Sequence, residues 1–155
     1  MFRSEKIGMI AYALPALGWM SIIFYLSSLT ASGVPSAHGI PDYVLHAAVY
    51  FVLAFFLFVF FQRVHRRGLA VTFALTMIVG LLYAMSDEWH QSYVPTRSSS
   101  GWDILADMVG MALCFPLLIA LHCAGSKGRW LYGLMAARPK SSCLRCTFPC
   151  KLESR

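Results

Sequence analysis

The chain has 155 residues, 58% of them hydrophobic and 13% charged, with a mean hydropathy of +0.62. Soluble domains run at about 45–50% apolar and about 25% charged, so the composition excludes an ordinary soluble domain and points to one compact membrane domain. The net charge of +6 is no nucleic-acid footprint, because the basic residues lie in the gaps between apolar runs, where membrane topology signals sit.

A short basic leader with Arg3 and Lys6 precedes an uncharged apolar run from Ile7 to Leu29. That run is too long for the apolar core of a signal peptide, about 7–15 residues, and long enough to cross a ~30 Å hydrocarbon layer. It predicts the first membrane helix, kinked at Pro15 and Gly18 and ending in the polar pair Ser27-Ser28. Residues 30–41 read as a loop, broken by Gly33, Pro35, Gly39 and Pro41. Asp42 to Phe61 is the second predicted span. Asp42, His46 and Tyr50 recur every four residues and so share one helix face, confined to its first two turns. Gln62 to Gly68 is a tight basic loop, and Leu69 to Ser86 the third span. Asp87 to Trp102 reads as a polar connection carrying Asp87, Glu88, His90 and Arg97. Asp103 to His122 is the fourth span, with Asp103, Asp107, Gly110 and Cys114 along one face. Small residues there let a neighbouring helix approach closely.

Residues 123–155 do not form a fifth span and are expected to be a basic cytoplasmic tail, separate from a membrane domain over residues 1–122. Trp130 to Ala137 is a short apolar patch flanked by Arg129 and Arg138, the pattern of a segment lying on the membrane surface. Cys143, Cys146 and Cys150 lack the second paired half that a zinc site of this spacing needs. They are expected to stay reduced in the cytoplasm.

Lys and Arg favour cytoplasmic loops. With four spans, 12 of the 13 basic residues fall on one side, leaving only Arg97 on the other. This predicts a multi-pass protein of the cytoplasmic membrane with both termini inside. Five of the seven acids (Asp42, Asp87, Glu88, Asp103 and Asp107) then collect at the outer ends, with His38, His46, His90 and Arg97. The acids did not enter the topology argument, so their convergence is independent of it. The sequence therefore predicts an all-α, polytopic membrane protein of four transmembrane helices with an acid-rich pocket at their outer ends, closed by residues 95–100. Trp89, Tyr93 and Trp102 read as interfacial anchors, and the phenylalanines between Phe51 and Phe61 as lipid-facing or packing residues.

These residues resemble the VanZ-like membrane family. The matching pieces are Phe24-Tyr25-Leu26-Ser27-Ser28, Asp42-x3-His46-x3-Tyr50, Ser86-Asp87-Glu88-x-His90-Gln91 with Pro95-x-Arg97, and Asp103-x3-Asp107-x2-Gly110. They run from about Trp19 to Leu121. Two positions depart from the family pattern: Tyr43 stands where a basic residue is frequent, and Asp107 where Asn is usual. The family is named for an accessory protein linked to low-level teicoplanin resistance, so the resemblance implies a role in the cell envelope without naming a reaction.

Five carboxylates and one guanidinium in a low-dielectric site cannot all stay ionised unaided. Protonation, a divalent metal or retained water would each relieve them, and no cofactor is assigned from the sequence. As an enzyme, Glu88 and His90 with Asp87 would serve as general base and acid. Arg97 would grip an anionic group such as a lipid phosphate, and Asp42 would orient His46. The substrate would be a lipid-linked or headgroup species of the bilayer. As a structural lock, Arg97 would pair with Asp87, Glu88 or Asp103 and pin the outer loop. Asp42 and His46, one turn apart, would be either half of a metal site that the other outer acids complete or, as is more common for such a spacing, a hydrogen-bonded pair. A transporter is disfavoured, because the polar residues stop after two helical turns and leave no path through the inner halves of the spans.

Overall fold

A computed structural model describes residues 2–30, 41–65 and 68–125 and holds four helices there: α1 (Phe2–Ser27), α2 (Asp42–His65), α3 (Leu69–Gln91) and α4 (Gly101–Gly125). At 1.5 Å per residue, helices of 23 to 26 residues are roughly 35–39 Å long, enough to cross a bilayer core. Each contains an apolar stretch of membrane-spanning length: Met9–Ser27, Asp42–Val64, Leu69–Gln91 and Gly101–Ala120. Among the described residues there is no strand. The chain is an all-α, multi-pass membrane protein.

Burial is inverted relative to a soluble bundle. Leu14, Leu17, Ile78, Leu82, Leu105 and Leu113 are exposed, as lipid-facing side chains should be, while Ser27, Thr72, Thr76, Asp87, Glu88, Gln91 and Asp107 are buried. Lipid tails are as apolar as leucine, so such helices are held by close packing and inter-helix hydrogen bonds. Helix α2 packs against all three others, most extensively against α4, and α1 does not touch α4. Tyr50, Leu53, Ala54, Leu57 and Phe58 of α2 meet Met111, Cys114 and Leu118 of α4 in the buried core. The α2–α4 approach is closest at Gly110, where an added Cβ would overlap the backbone of Ala47. Helix α1 is fastened instead by polar side chains reaching its own or its neighbour's backbone. The Trp19 indole donates to the Val49 carbonyl at 3.0 Å and the Tyr83 hydroxyl to the Met20 carbonyl at 2.6 Å.

Several boundaries differ from the sequence reading. Helix α3 does not stop at Ser86 but continues to Gln91, so Asp87, Glu88 and His90 are helical rather than part of a connection. Nothing in Asp-Glu-Trp-His-Gln breaks a helix, and Gln91, one turn beyond Asp87, donates to its Oδ2 at 3.1 Å. Helix α2 likewise runs past Phe61 to His65, and α4 starts at Gly101. Pro15 and Pro116 both lie inside continuous helices, as membrane helices tolerate. The expected loop at 31–40, Arg66 and Arg67, the patch Trp130 to Ala137 and the tail cysteines lie outside the described residues.

Candidate functional site at the polar helix ends

Of the nine charged or imidazole residues singled out at the outer ends, eight lie at one end of the bundle, where α1 and α3 finish and α2 and α4 begin; His38 lies outside the described residues. They do not form one pocket. Two cavities open there, with Asp87 lining both.

The first, about 210 Å³, has apolar walls from Ile23, Leu26, Leu45 and Val49 and polar ones from Asp42, His46, Tyr50, Asp87, Gln91 and Arg97. The face predicted from the four-residue spacing of Asp42, His46 and Tyr50 thus turns into a cavity. His46 is held from the opposite side: its Nδ1 lies 3.2 Å from Asp107 Oδ1. Asp107 is 0% exposed, and its Oδ2 has no hydrogen-bond partner. Asp107, not Asp42, therefore orients the ring. The signal available in the sequence was only that both residues were charged or titratable and near the same end. Tyr50, 1% exposed, also lacks a partner for its hydroxyl. Asp42 is exposed and Asp103 half-buried, and one ligand atom from each of Asp42, His46 and Asp103 lies within 4.8 Å of the others.

The second cavity, about 370 Å³, lies between α1 and α3 and is lined by Phe24, Tyr83, Asp87, Trp89, His90 and Tyr93 among others. His90 sits here, with its ring 4.5 Å from that of Phe24 and its Nε2 3.0 Å from Ser28 Oγ. The two histidines therefore serve different spaces. Trp89, Tyr93 and Trp102 are strongly exposed, as interfacial anchors would be, and the Trp89 indole donates to the Tyr93 hydroxyl at 3.1 Å.

Asp87 stands between the cavities with both oxygens engaged. Ser27 Oγ donates to Oδ1 at 2.6 Å and Gln91 Nε2 to Oδ2 at 3.1 Å. Glu88 is buried and faces α4, accepting the Ser100 amide at 2.8 Å just before that helix starts. Asp87 and Glu88 close the C-terminal end of α3, where a carboxylate opposes the helix dipole, so both are placed against local helix preference. Ser27, Tyr50, Gln91 and Ser100 complete the site. Ser27 and Tyr50 stood out in the sequence as polar residues in apolar runs, whereas Gln91 and Ser100 carried no signal beyond their neighbours.

Arg97 departs from expectation most. Its Nε donates to the Leu29 carbonyl and its Nη2 to the Leu26 carbonyl, both at 3.3 Å. His46 and Asp107 form an ion pair, whereas Arg97 pairs with none of Asp87, Glu88 or Asp103. It instead caps carbonyls at the end of α1, adding to the Leu29 amide that already reaches the Leu26 carbonyl. Thr96, just before it, takes the left-handed conformation at φ 70°.

No curated protein and no solved structure shows significant similarity to the chain. A family model described as VanZ/LLP1 matches residues 11–122, a range that contains the last three spans, all but the first two residues of the first, and every residue of both cavities. The chain belongs to the VanZ/LLP1 family.

Proposed function

We propose that the protein works on the cell envelope from the outer face of the cytoplasmic membrane, with both termini inside, by binding and modifying a lipid-linked precursor or a lipid headgroup. The reading rests on one observation. The smaller cavity joins an apolar wall (Ile23, Leu26, Leu45, Val49) to a polar one (Asp42, His46, Gln91, Arg97) at the membrane boundary, the lining an amphiphile needs. The basic residues, gathered on the opposite side, support the orientation.

Within this cavity the acid–base role passes from His90 and Glu88 to His46. Glu88 is turned toward Ser100 and His90 toward the other cavity. His46 has a carboxylate on Nδ1, which leaves its second ring nitrogen to take or give a proton. Arg97, with Nε and Nη2 committed to carbonyls, contributes charge rather than a two-pronged grip. Tolerance to glycopeptides such as teicoplanin would follow from an altered envelope precursor.

The experiment compares envelope lipids and cell-wall precursors by mass spectrometry in a deletion strain. The strain carries wild type, His46→Gln, Glu88→Gln or His90→Ala at matched protein levels. A species that changes with wild type and reverts with His46→Gln supports the reading, and unaltered activity of His46→Gln sinks it. A second, non-catalytic reading is favoured by the bonds of Arg97 to α1 and of Ser27 to Asp87, which tie helix ends together. It predicts that no species changes while the antibiotic phenotype persists.

A further inference from the structure

We infer that Asp42, His46 and Asp103 form a binding site for a divalent cation of the Mn²⁺ or Zn²⁺ class, with Asp107 as the residue that orients the histidine. The inference adds an ion to the cavity described above but does not depend on a lipid substrate; while the ion is bound, the second ring nitrogen of His46 is its ligand and the proton transfer assigned to it above is suspended.

Three observations carry it. The first is the ligand set. One atom from each of the three residues lies within 4.8 Å of the others. Two ligands on one ion at about 2.2 Å are at most roughly 4.4 Å apart, so a few tenths of an ångström close the set. Asp42 is exposed and free to make that movement. One imidazole and two carboxylates suit ions between hard and soft, such as Mn²⁺ and Zn²⁺.

The second is the support behind His46. A metal-bound histidine almost always gives its other ring N–H to a carboxylate, which fixes the ring and raises its basicity. Asp107 Oδ1 at 3.2 Å from Nδ1, on a fully buried side chain, gives that arrangement with Nε2 as the ligand atom.

The third is unmatched polarity facing the site. Tyr50, 1% exposed, lines the same cavity as Asp42 and His46, and its hydroxyl has no partner. Leaving a buried hydroxyl unpaired is costly. A water or anion held in an open coordination position of the ion would satisfy it. The acids of this end, with no Lys or Arg paired to them among the described residues, supply the negative charge a divalent ion offsets. Asp42 and Asp103 could be explained separately as acids in first helical turns. That explanation leaves His46, its buried carboxylate and Tyr50 unaccounted for.

The test uses the full-length protein purified in detergent, stripped with a chelator and titrated with Mn²⁺ followed by electron paramagnetic resonance. Mn²⁺ is chosen because oxygen and imidazole ligands hold it, whereas Cys143, Cys146 and Cys150 would favour softer ions. The expected result is about one Mn²⁺ per chain, weakened at least tenfold by Asp42→Asn and by Asp103→Asn and unchanged by His90→Gln. Asp42→Asn is the decisive variant, because an exposed Asn at a helix start keeps the fold. Its melting temperature without metal should match wild type. Absence of Mn²⁺ binding to wild type, or binding undiminished in Asp42→Asn and Asp103→Asn, overturns the inference. Either result leaves the lipid comparison above to stand or fall by itself.

Discussion

Gly110→Ala tests the α2–α4 contact that sets His46 against Asp107. A Cβ at position 110 would stand 2.7 Å from both the carbonyl carbon and the Cα of Ala47, and nearer still to its oxygen. Carbon atoms rest at about 3.5–4.0 Å, so the helices must part by roughly 1 Å. The obstacle is backbone, which no rotamer change can move. A gap of that size forfeits about a quarter to a half of each dispersion contact across it, in an interface holding Tyr50, Leu53, Met111, Cys114 and Leu118. In a bundle without a hydrophobic drive between helices, this destabilises by about 3 kcal/mol or more, the upper end of overpacking effects. Thermal unfolding in detergent, read by near-UV circular dichroism with size-exclusion chromatography, would show a lowered midpoint and a larger aggregated fraction. Ala47→Gly should not rescue it, because the clash is with the main chain. A Gly110→Ala protein as stable as wild type, or one repaired by Ala47→Gly, would refute the reasoning.

Gly80→Ala supplies the contrast, since its Cβ would meet the Sδ and Cε of Met111, the end of a flexible side chain. A smaller loss, of about 1–2 kcal/mol, should disappear when Gly80→Ala is compared with its parent in a Met111→Ala background, which is itself destabilised by its cavity, as measured by the same melts. Asp87→Ala strips the acceptor from Ser27 and Gln91, both buried. It should cost about 2–4 kcal/mol, with Asp87→Asn milder because it keeps one acceptor oxygen; equal melting of Asp87→Ala and wild type would count against the network. Arg97→Ala removes two charge-assisted bonds to α1, so residues 92–100 should exchange amide hydrogen at least tenfold faster, about 1.4 kcal/mol of lost protection.

The sequence by itself determined the four spans and the end at which the polar residues gather. Both follow from local quantities: runs of apolar residues long enough for a bilayer, and intervals of four that put Asp42, His46 and Tyr50, or Asp103 and Asp107, on one helix face. The length of α3 is not legible in the sequence because charge alone does not end a helix: α3 runs through Asp87, Glu88 and His90, and the non-helical stretch is residues 92–100, around Pro95. Tertiary structure alone decided the partners. His46 turns to Asp107 rather than Asp42 because the α2–α4 contact at Gly110 sets the rotation of the two helices, and no spacing within one helix encodes that. Arg97 illustrates the same point from the side of electrostatics. Coulomb attraction favours the nearby acids, but the end of α1 presents the Leu26 and Leu29 carbonyls, which have acceptor capacity to spare, and the guanidinium goes to them. Which of two cavities each histidine enters was likewise settled by packing, since a pocket between helices exists only once their separations and rotations are in place.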